Sequence, residues 1–196
     1  MLQVSHVINE VLASRTYILS MEGVPHFWLV DCGDVQPLLE RIVAIGGERF
    51  VVKGVLLTHV HYDHIYGLPL MTKLFPSLRV YTNKAGCEAL SNERLNMSKY
   101  HCDPVCYEGP NVVVCGEGAE IELFEGVSAK VYEVPGHNPS CLCFEVGKYL
   151  FSGDAWIPGM KVVTTLPGAD KQLASLSQDR IQALAQGKVV CPGHKV

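Results

Sequence analysis

The sequence predicts a mixed α/β domain made of two β-sheets packed together, with helices covering their outer faces. Short apolar, β-branched runs recur in both halves of the chain, and patterns of helical period lie between and after them. The runs gather into two strand-dense stretches, one in each half, where a single regular parallel sheet would alternate strand and helix throughout. With 196 residues, 48% hydrophobic and 18% charged, the chain can fill one sizeable core and is short for two. Residues 1–196 are therefore read as one domain.

In chain order, the strand runs are residues 16–19, 27–31, 54–58, 78–82, 112–115, 127–134, 142–146, 149–152 and 189–191. Each is a short run dominated by apolar, β-branched or aromatic side chains. Helical patterns occupy residues 35–45, 64–75, 84–90 and 173–185, the last with apolar Leu173, Leu176, Ile181 and Leu184 along its length. Residues 92–110 contain His101, Cys102, Pro104 and Pro110 and follow no period, so they are expected to form a surface loop or lid. There is no internal repeat, low-complexity tract or linker.

The formal net charge is −4, and the basic residues are spread thinly. Nucleic-acid binding, which ordinarily leaves a basic stripe, is not expected. No stretch approaches the roughly 18 or more consecutive apolar residues that cross a bilayer, and the opening Met1-Leu2-Gln3-Val4-Ser5-His6 lacks the basic start and apolar run of a signal peptide. A cytoplasmic location with no membrane partner is expected.

The eight cysteines are read mostly as reduced, buried hydrophobes, as Cys32, Cys87, Cys115 and Cys191 sit in or beside apolar runs. Cys141 and Cys143, or Cys102 and Cys106 after His101, offer a second reading as a small zinc site. Neither cluster has the paired C-x2-C halves of a structural site.

The chemistry concentrates in Thr58-His59-Val60-His61-Tyr62-Asp63-His64, placed directly after the strand pattern at 54–57 and directly before a helical one. Four metal-competent side chains fall within six residues. Imidazole nitrogen and carboxylate oxygen suit a borderline divalent ion, and a strand-to-helix turn can direct neighbouring side chains to a common point. A purely structural cluster of this density would bury several polar groups in need of partners. His137, Asp154 and His194 each follow a strand and a glycine, as Pro135-Gly136-His137, Ser152-Gly153-Asp154 and Pro192-Gly193-His194.

Through H-x-H-x-D-H at 59–64, then His137, Asp154 and His194 in order, and the early strand ending Leu29-Val30-Asp31-Cys32-Gly33, the chain resembles the metallo-β-lactamase superfamily over nearly its whole length. The resemblance implies a four-layer αββα sandwich with metals at the shared edge of the two sheets. Carried over position by position, it makes His59, His61 and His137 ligands of one metal and Asp63, His64 and His194 ligands of a second, with Asp154 bridging both. Asp63 and Asp154 are the carboxylates counted as catalytic. Two divalent ions are implied, zinc first, with iron or manganese accepted by the same donors. Two such ions about 3.5–4 Å apart lower the pKa of a shared water towards neutrality, so metal-bound hydroxide is the expected nucleophile. One ion would also polarise the substrate oxygen, and Ser140 and Cys141 are not needed as nucleophiles. Asp31 is a candidate hydrogen-bond acceptor for a ligating imidazole, and Thr58 for holding the loop.

The ligand order is most similar to the glyoxalase II branch, which hydrolyses glutathione thioesters; the best-known zinc β-lactamases carry cysteine where Asp154 stands. The expected activity is hydrolysis of a thioester or a related carboxylic ester or lactone, with a small-molecule substrate. Lys161 is the candidate counterpart of a basic glutathione-holding residue. No tyrosine follows His194 and no helical domain follows it, which argues against glutathione recognition. Tyr62 and Trp156 are instead candidates to line a pocket for an apolar acyl group. A homo-oligomeric partner covering the edge beyond His194 is a further expectation. The alternatives are an iron-dependent redox enzyme of the same fold, a phosphodiesterase or nuclease, and a non-enzymatic metal-binding protein.

Overall fold

The structure, a computed structural model, describes residues 1–195; Val196, the last residue of the expected domain, lies outside the described residues. The first sheet contains β1 (Leu2–Ile8), β2 (Arg15–Met21), β3 (His26–Val30), β4 (Val51–Leu56), β5 (Arg79–Thr82) and β6 (Val112–Val114), side by side in that order. Its first three strands pair antiparallel and the others parallel. The second sheet runs β11-β10-β9-β8-β7, from β7 (Glu120–Phe124), β8 (Val127–Glu133), β9 (Leu142–Val146), β10 (Tyr149–Gly153) and β11 (Val189–Pro192). It is antiparallel except for β10 and β11.

The period-two alternation of each strand sorts side chains between layers. In β3, Phe27 and Leu29 face outward to Val35, Leu38 and Ile42 of helix α1 (Val35–Gly46), while Trp28 and Val30 face the other sheet. In β9 and β10, Leu142, Phe144, Val146 and Phe151 fill the inter-sheet core, while Cys143 and Leu150 face helix α5 (Lys171–Leu184) through Ile181. Helices α2 (Tyr62–Ile65), α3 (Leu68–Leu74) and α4 (Lys84–Leu90) complete the outer layer of the first sheet. The result is the expected αββα order. A buried hydrogen bond from Trp28 Nε1 to the Leu123 carbonyl, 2.7 Å, joins the sheets through their core.

Three features depart from the expected elements. β1 was not anticipated, because Leu2–Ile8 is an edge strand whose residues are all exposed or half-buried and whose apolar pattern is weak. β7 was also missed, since Glu120 and Glu122 interrupt its apolar residues. The single helical pattern at 64–75 is two helices. Gly67 breaks it, donating its N–H to the Cys32 carbonyl, and a Cβ there would lie 2.0 Å from the carbonyl oxygen of Gly33. Residues 92–110 are a loop, as expected, apart from one 3₁₀ turn at Ser98–Tyr100.

All eight cysteines are free, five of them buried. Among the described residues no cluster of potential metal ligands includes a cysteine, so the small zinc site considered for the cysteine pairs is not formed. Cys141 and Cys143 pack as apolar side chains in the layer beneath α5. Among the described residues, no helix is long and apolar enough to cross a membrane.

Candidate metal centre

The site lies where β3, β4, β8, β10 and β11 end. Parallel pairing of β3 with β4 and of β10 with β11 brings their C-terminal ends to one edge. Asp31 follows β3, the His59 to His64 segment follows β4, His137 follows β8, Asp154 follows β10 and His194 follows β11. An isolated bridge between Ser14 and His194 and a hydrogen bond from Leu142 N to Thr58 O, 2.7 Å, stitch the two sheets at this edge.

All seven anticipated ligands converge. His61 Nδ1 lies 3.0 Å from His137 Nε2, and His64 Nε2 lies 3.3 Å from His194 Nε2. One oxygen of Asp63 is 3.2 Å from each of those last two nitrogens. The Asp154 carboxylate lies between the halves, with Oδ1 3.6 Å from His64, and Oδ2 3.1 Å from His194 and 3.8 Å from His137. Among the described residues the donors form three overlapping triads: His59, His61 and His137; His59, His64 and Asp154; and Asp63, His64 and His194.

Charge divides the centre. Burial and the neighbouring imidazoles hold His59 far below the usual histidine range, and burial with His137 beside it brings His61 down to about 4. Around His64, burial is outweighed by Asp63, Asp154 and Asp31, which hold the ring well above its usual value. Burial likewise opposes the charge on His194, but hydrogen bonds to Asp154 and Asp63 raise it to about 10. Asp63 and Asp154 are held low against their burial by His64 and His194. One half is thus three imidazoles, with His59 and His61 held low, and the other a carboxylate-rich pocket. Both suit divalent cations. Two buried atoms, His59 Nε2 and Asp154 Oδ1, have no hydrogen-bond partner. In so dense a polar cluster, orphaned lone pairs are the sign of a cation site.

The surrounding hydrogen bonds aim these rings. Asp31 accepts from His64 Nδ1 at 2.8 Å and from the Thr58 N–H and hydroxyl at 2.7 Å each, so Asp31 and Thr58 act as support for the ligands. His137 Nδ1 donates to the Val163 carbonyl and His194 Nδ1 to the Leu12 carbonyl, both 2.9 Å. Leu12 and Ala13 each hold φ at 54°, a conformation that costs residues with a Cβ about 1–2 kcal/mol apiece. The turn is kept there partly by Ser14, whose hydroxyl donates to the Asp63 carbonyl at 2.7 Å. Ser140 Oγ accepts from the Val60 N–H at 3.1 Å and so helps join two ligand loops.

Beside the ligands lies a cavity of about 270 Å³. Its far wall is Leu12, Ile157, Met160, Val162, Val163 and Leu166, with Lys161 as the one cationic side chain. Tyr62 and Trp156 do not line it. The Tyr62 ring packs into the outer core, stacked on His101 with centroids 4.0 Å apart and on Tyr66 at 5.4 Å. Trp156 packs against the layer under α5. Of this stretch the sequence singled out Lys161, which does line the cavity; the apolar Ile157, Met160, Val162, Val163 and Leu166 were not anticipated, because they follow neither helical nor strand period. Leu12 was unforeseeable, since its position depends on a left-handed turn at a residue that rarely adopts one.

Residues 28–194 match the family model described as the metallo-beta-lactamase superfamily. The hydroxyacylglutathione hydrolase of Enterobacter sp. (strain 638) is 30% identical over 167 residues, which are 85% of this chain and 56% of the relative; the chain spans little more than half that protein's length. The crystal structure of the B3 metallo-beta-lactamase BLEG-1 superposes with a TM-score of 0.87 at 23% identity, covering 99% of this chain and 92% of the other. That of TTHA1623 in a di-iron-bound form gives 0.80 at 25% identity, covering 98% and 92%. On the family match and the ligand geometry together, the chain belongs to the metallo-beta-lactamase superfamily.

Proposed function

We propose that this protein hydrolyses a small thioester, or a related carboxylic ester or lactone, carrying a compact apolar acyl group, at a dinuclear centre. The observation that carries the reading is the meeting of two ligand triads, with Asp154 between them, at the floor of an apolar cavity. His59, His61 and His137 would hold one divalent ion, Asp63, His64 and His194 the other, and Asp154 both. The pair would supply a water acidic enough to react near neutral pH and a Lewis acid for the acyl oxygen. The apolar wall would desolvate and orient the acyl group, leaving its carbonyl against the ligand cluster. Lys161, on the exposed side of the cavity, would meet an anionic part of the leaving group. An engineered cavity of about 150 Å³ admits benzene, so 270 Å³ suits an acyl group somewhat larger than one ring.

The hydrolase name and sequence similarity of the Enterobacter relative support thioester chemistry, and the di-iron form of TTHA1623 supports two metals. An apolar wall with one lysine suits a nucleic-acid backbone poorly, which ranks the phosphodiesterase reading below the acyl one. Zinc is the proposed metal, with iron and manganese as the alternatives to be tested. A single domain in a reducing, cytoplasmic setting accords with eight free cysteines.

The test is turnover by metal-depleted protein reloaded with zinc, manganese or iron. The panel would contain acyl thioesters and esters of graded chain length, S-lactoylglutathione and an aryl phosphodiester. Metal-dependent hydrolysis strongest on a compact apolar acyl group is expected. No metal-dependent acyl turnover, or turnover confined to the phosphodiester, overturns the reading.

A further inference from the structure

The imidazoles of the centre are held from behind by two kinds of partner. His64 meets the Asp31 carboxylate at 2.8 Å, His59 the Thr58 hydroxyl at 3.3 Å and His61 the Asn138 amide at 3.0 Å. Those three partners are buried, and none of them lines the cavity. His194 and His137 are held differently. Each donates to a backbone carbonyl 2.9 Å away, that of Leu12 and that of Val163, and the side chains of these two residues line the cavity. Leu12 is 69% exposed and Val163 49%.

Neither residue belongs to a core cluster among the described residues. Leu12 lies in the turn between β1 and β2, where it and Ala13 hold φ at 54°, a conformation that a Cβ disfavours. Val163 lies in the stretch 161–165, which forms neither helix nor strand, between turns closed by Met160 N to the Ile157 carbonyl and Ala169 N to the Leu166 carbonyl. An exposed leucine at a disfavoured φ gains from neither its solvation nor its backbone. Backbone outliers of this kind collect at ligand clamps. An apolar group in the cavity would bury both side chains and restrain both carbonyls. Those carbonyls aim one histidine in each of two triads, His194 with Asp63 and His64, and His137 with His59 and His61. Ordering that the apolar group has already imposed is ordering that a cation need not impose, so the two would bind with positive coupling.

We propose that Leu12 and Val163 are positioning residues that couple the cavity to the metal centre: an apolar group beside them tightens divalent cation binding, and a bound cation tightens the hold on that group. The proposal rests on the metal and cavity readings above, and the test separates the three. Full-length, metal-free protein is titrated with Co²⁺ against a competing chelator, with and without saturating fluorobenzene. Fluorobenzene offers a cation no nitrogen, oxygen or sulfur donor, and its ¹⁹F resonance reports its own binding. Cobalt affinity is expected to rise about fivefold or more with fluorobenzene bound, and fluorobenzene affinity by the same factor with cobalt bound.

Leu12→Ala and Val163→Ala keep both carbonyls and remove the side chains that would touch the apolar group. Each should lower the coupling factor, and together they should bring it below about twofold. Leu166→Ala is the contrast, because Leu166 lines the same cavity while its carbonyl accepts from Ala169 N. It should weaken fluorobenzene binding and leave the factor at the wild-type value, a separation that a merely structural role would not produce. Each single variant truncates an exposed side chain and tests the proposal even if the double variant does not fold.

Cobalt affinity that bound fluorobenzene leaves unchanged, coupling that survives in the double variant, or coupling that Leu166→Ala removes equally overturns the role given to Leu12 and Val163. Absence of fluorobenzene binding overturns the cavity reading, absence of cobalt binding overturns the metal reading, and either takes the proposal with it.

Discussion

Asp31 accepts a 2.8 Å hydrogen bond from His64 Nδ1 while held at φ 61°, so a non-glycine residue in the left-handed region supports a candidate metal ligand from behind. The same carboxylate takes the N–H and hydroxyl of Thr58, tying the end of β3 to the loop after β4. Asp31→Asn leaves one oxygen for three donors and turns an NH₂ group towards at least one of them. Metal affinity is expected to fall about 10–100-fold, and stability by about 1–3 kcal/mol. Chelator competition and urea unfolding check the two effects, and affinity within threefold of wild type would show that Asp31 does not support the centre.

Gly193 passes directly under the carboxylate proposed to join the two ions. A Cβ at that position would lie 2.1 Å from Asp154 Oδ1 and 2.9 Å from His64 Cε1. Gly193→Ala is expected to lower kcat/KM by about 100-fold or more, equivalent to about 2.7 kcal/mol of transition-state stabilisation. Far-ultraviolet circular dichroism should remain that of the wild type. Near-normal turnover would mean that Asp154 need not stay where it is.

Leu166 lies on the cavity wall and is not among the ligands. Placing a charge there with Leu166→Asp should lower kcat/KM for an apolar acyl substrate by about tenfold or more, the scale on which hydrophobic pockets discriminate. Metal content, read by elemental analysis, should not change. Equal activity on apolar substrates would remove the cavity from the specificity argument.

Helix α5 supports the His137 loop from behind. Asp170 N donates to the Gly136 carbonyl at 2.8 Å, and the Ser177 hydroxyl donates to the Pro135 carbonyl at 2.6 Å. Its buried anchor is Ile181, fully shielded from solvent, whereas the neighbouring Arg180 pairs with Glu117 on the exposed side. Ile181→Ala should cost about 2–5 kcal/mol through the cavity it leaves. Arg180→Ala should cost no more than about 1 kcal/mol, because an exposed ion pair is screened by solvent. Urea denaturation of both variants checks the order, and a larger loss at Arg180 would reverse the account of what holds α5.

Much of this molecule is legible without coordinates. His59, His61, Asp63 and His64 declare themselves by density, and His137, Asp154 and His194 by standing after a strand and a glycine. Such positions are local: the end of a strand is where a polar side chain can leave the core. β3, β4, β9 and β10 are legible as short apolar runs, whereas which of their side chains face which layer is not, since β3, β9 and β10 are buried on both faces.

Side-chain direction beyond a turn is another matter. Tyr62 lies between ligands in sequence, yet α2 turns its ring outward to His101 and Tyr66, while Trp156, two residues past Asp154, goes to the layer under α5. The amide of Asn138 is set by Ser140, and its target is a histidine 77 residues away. The order of residues along the chain determined the donor set, the two-sheet plan and the class of chemistry, because these rest on residue type and local period. Only the tertiary structure decided which oxygen supports which imidazole, that His61 meets the Asn138 amide instead, and that Leu12 joins Ile157, Met160, Val162, Val163 and Leu166 in the apolar wall. Those depend on where distant segments come to rest against each other, and short-range spacing carries no information about that.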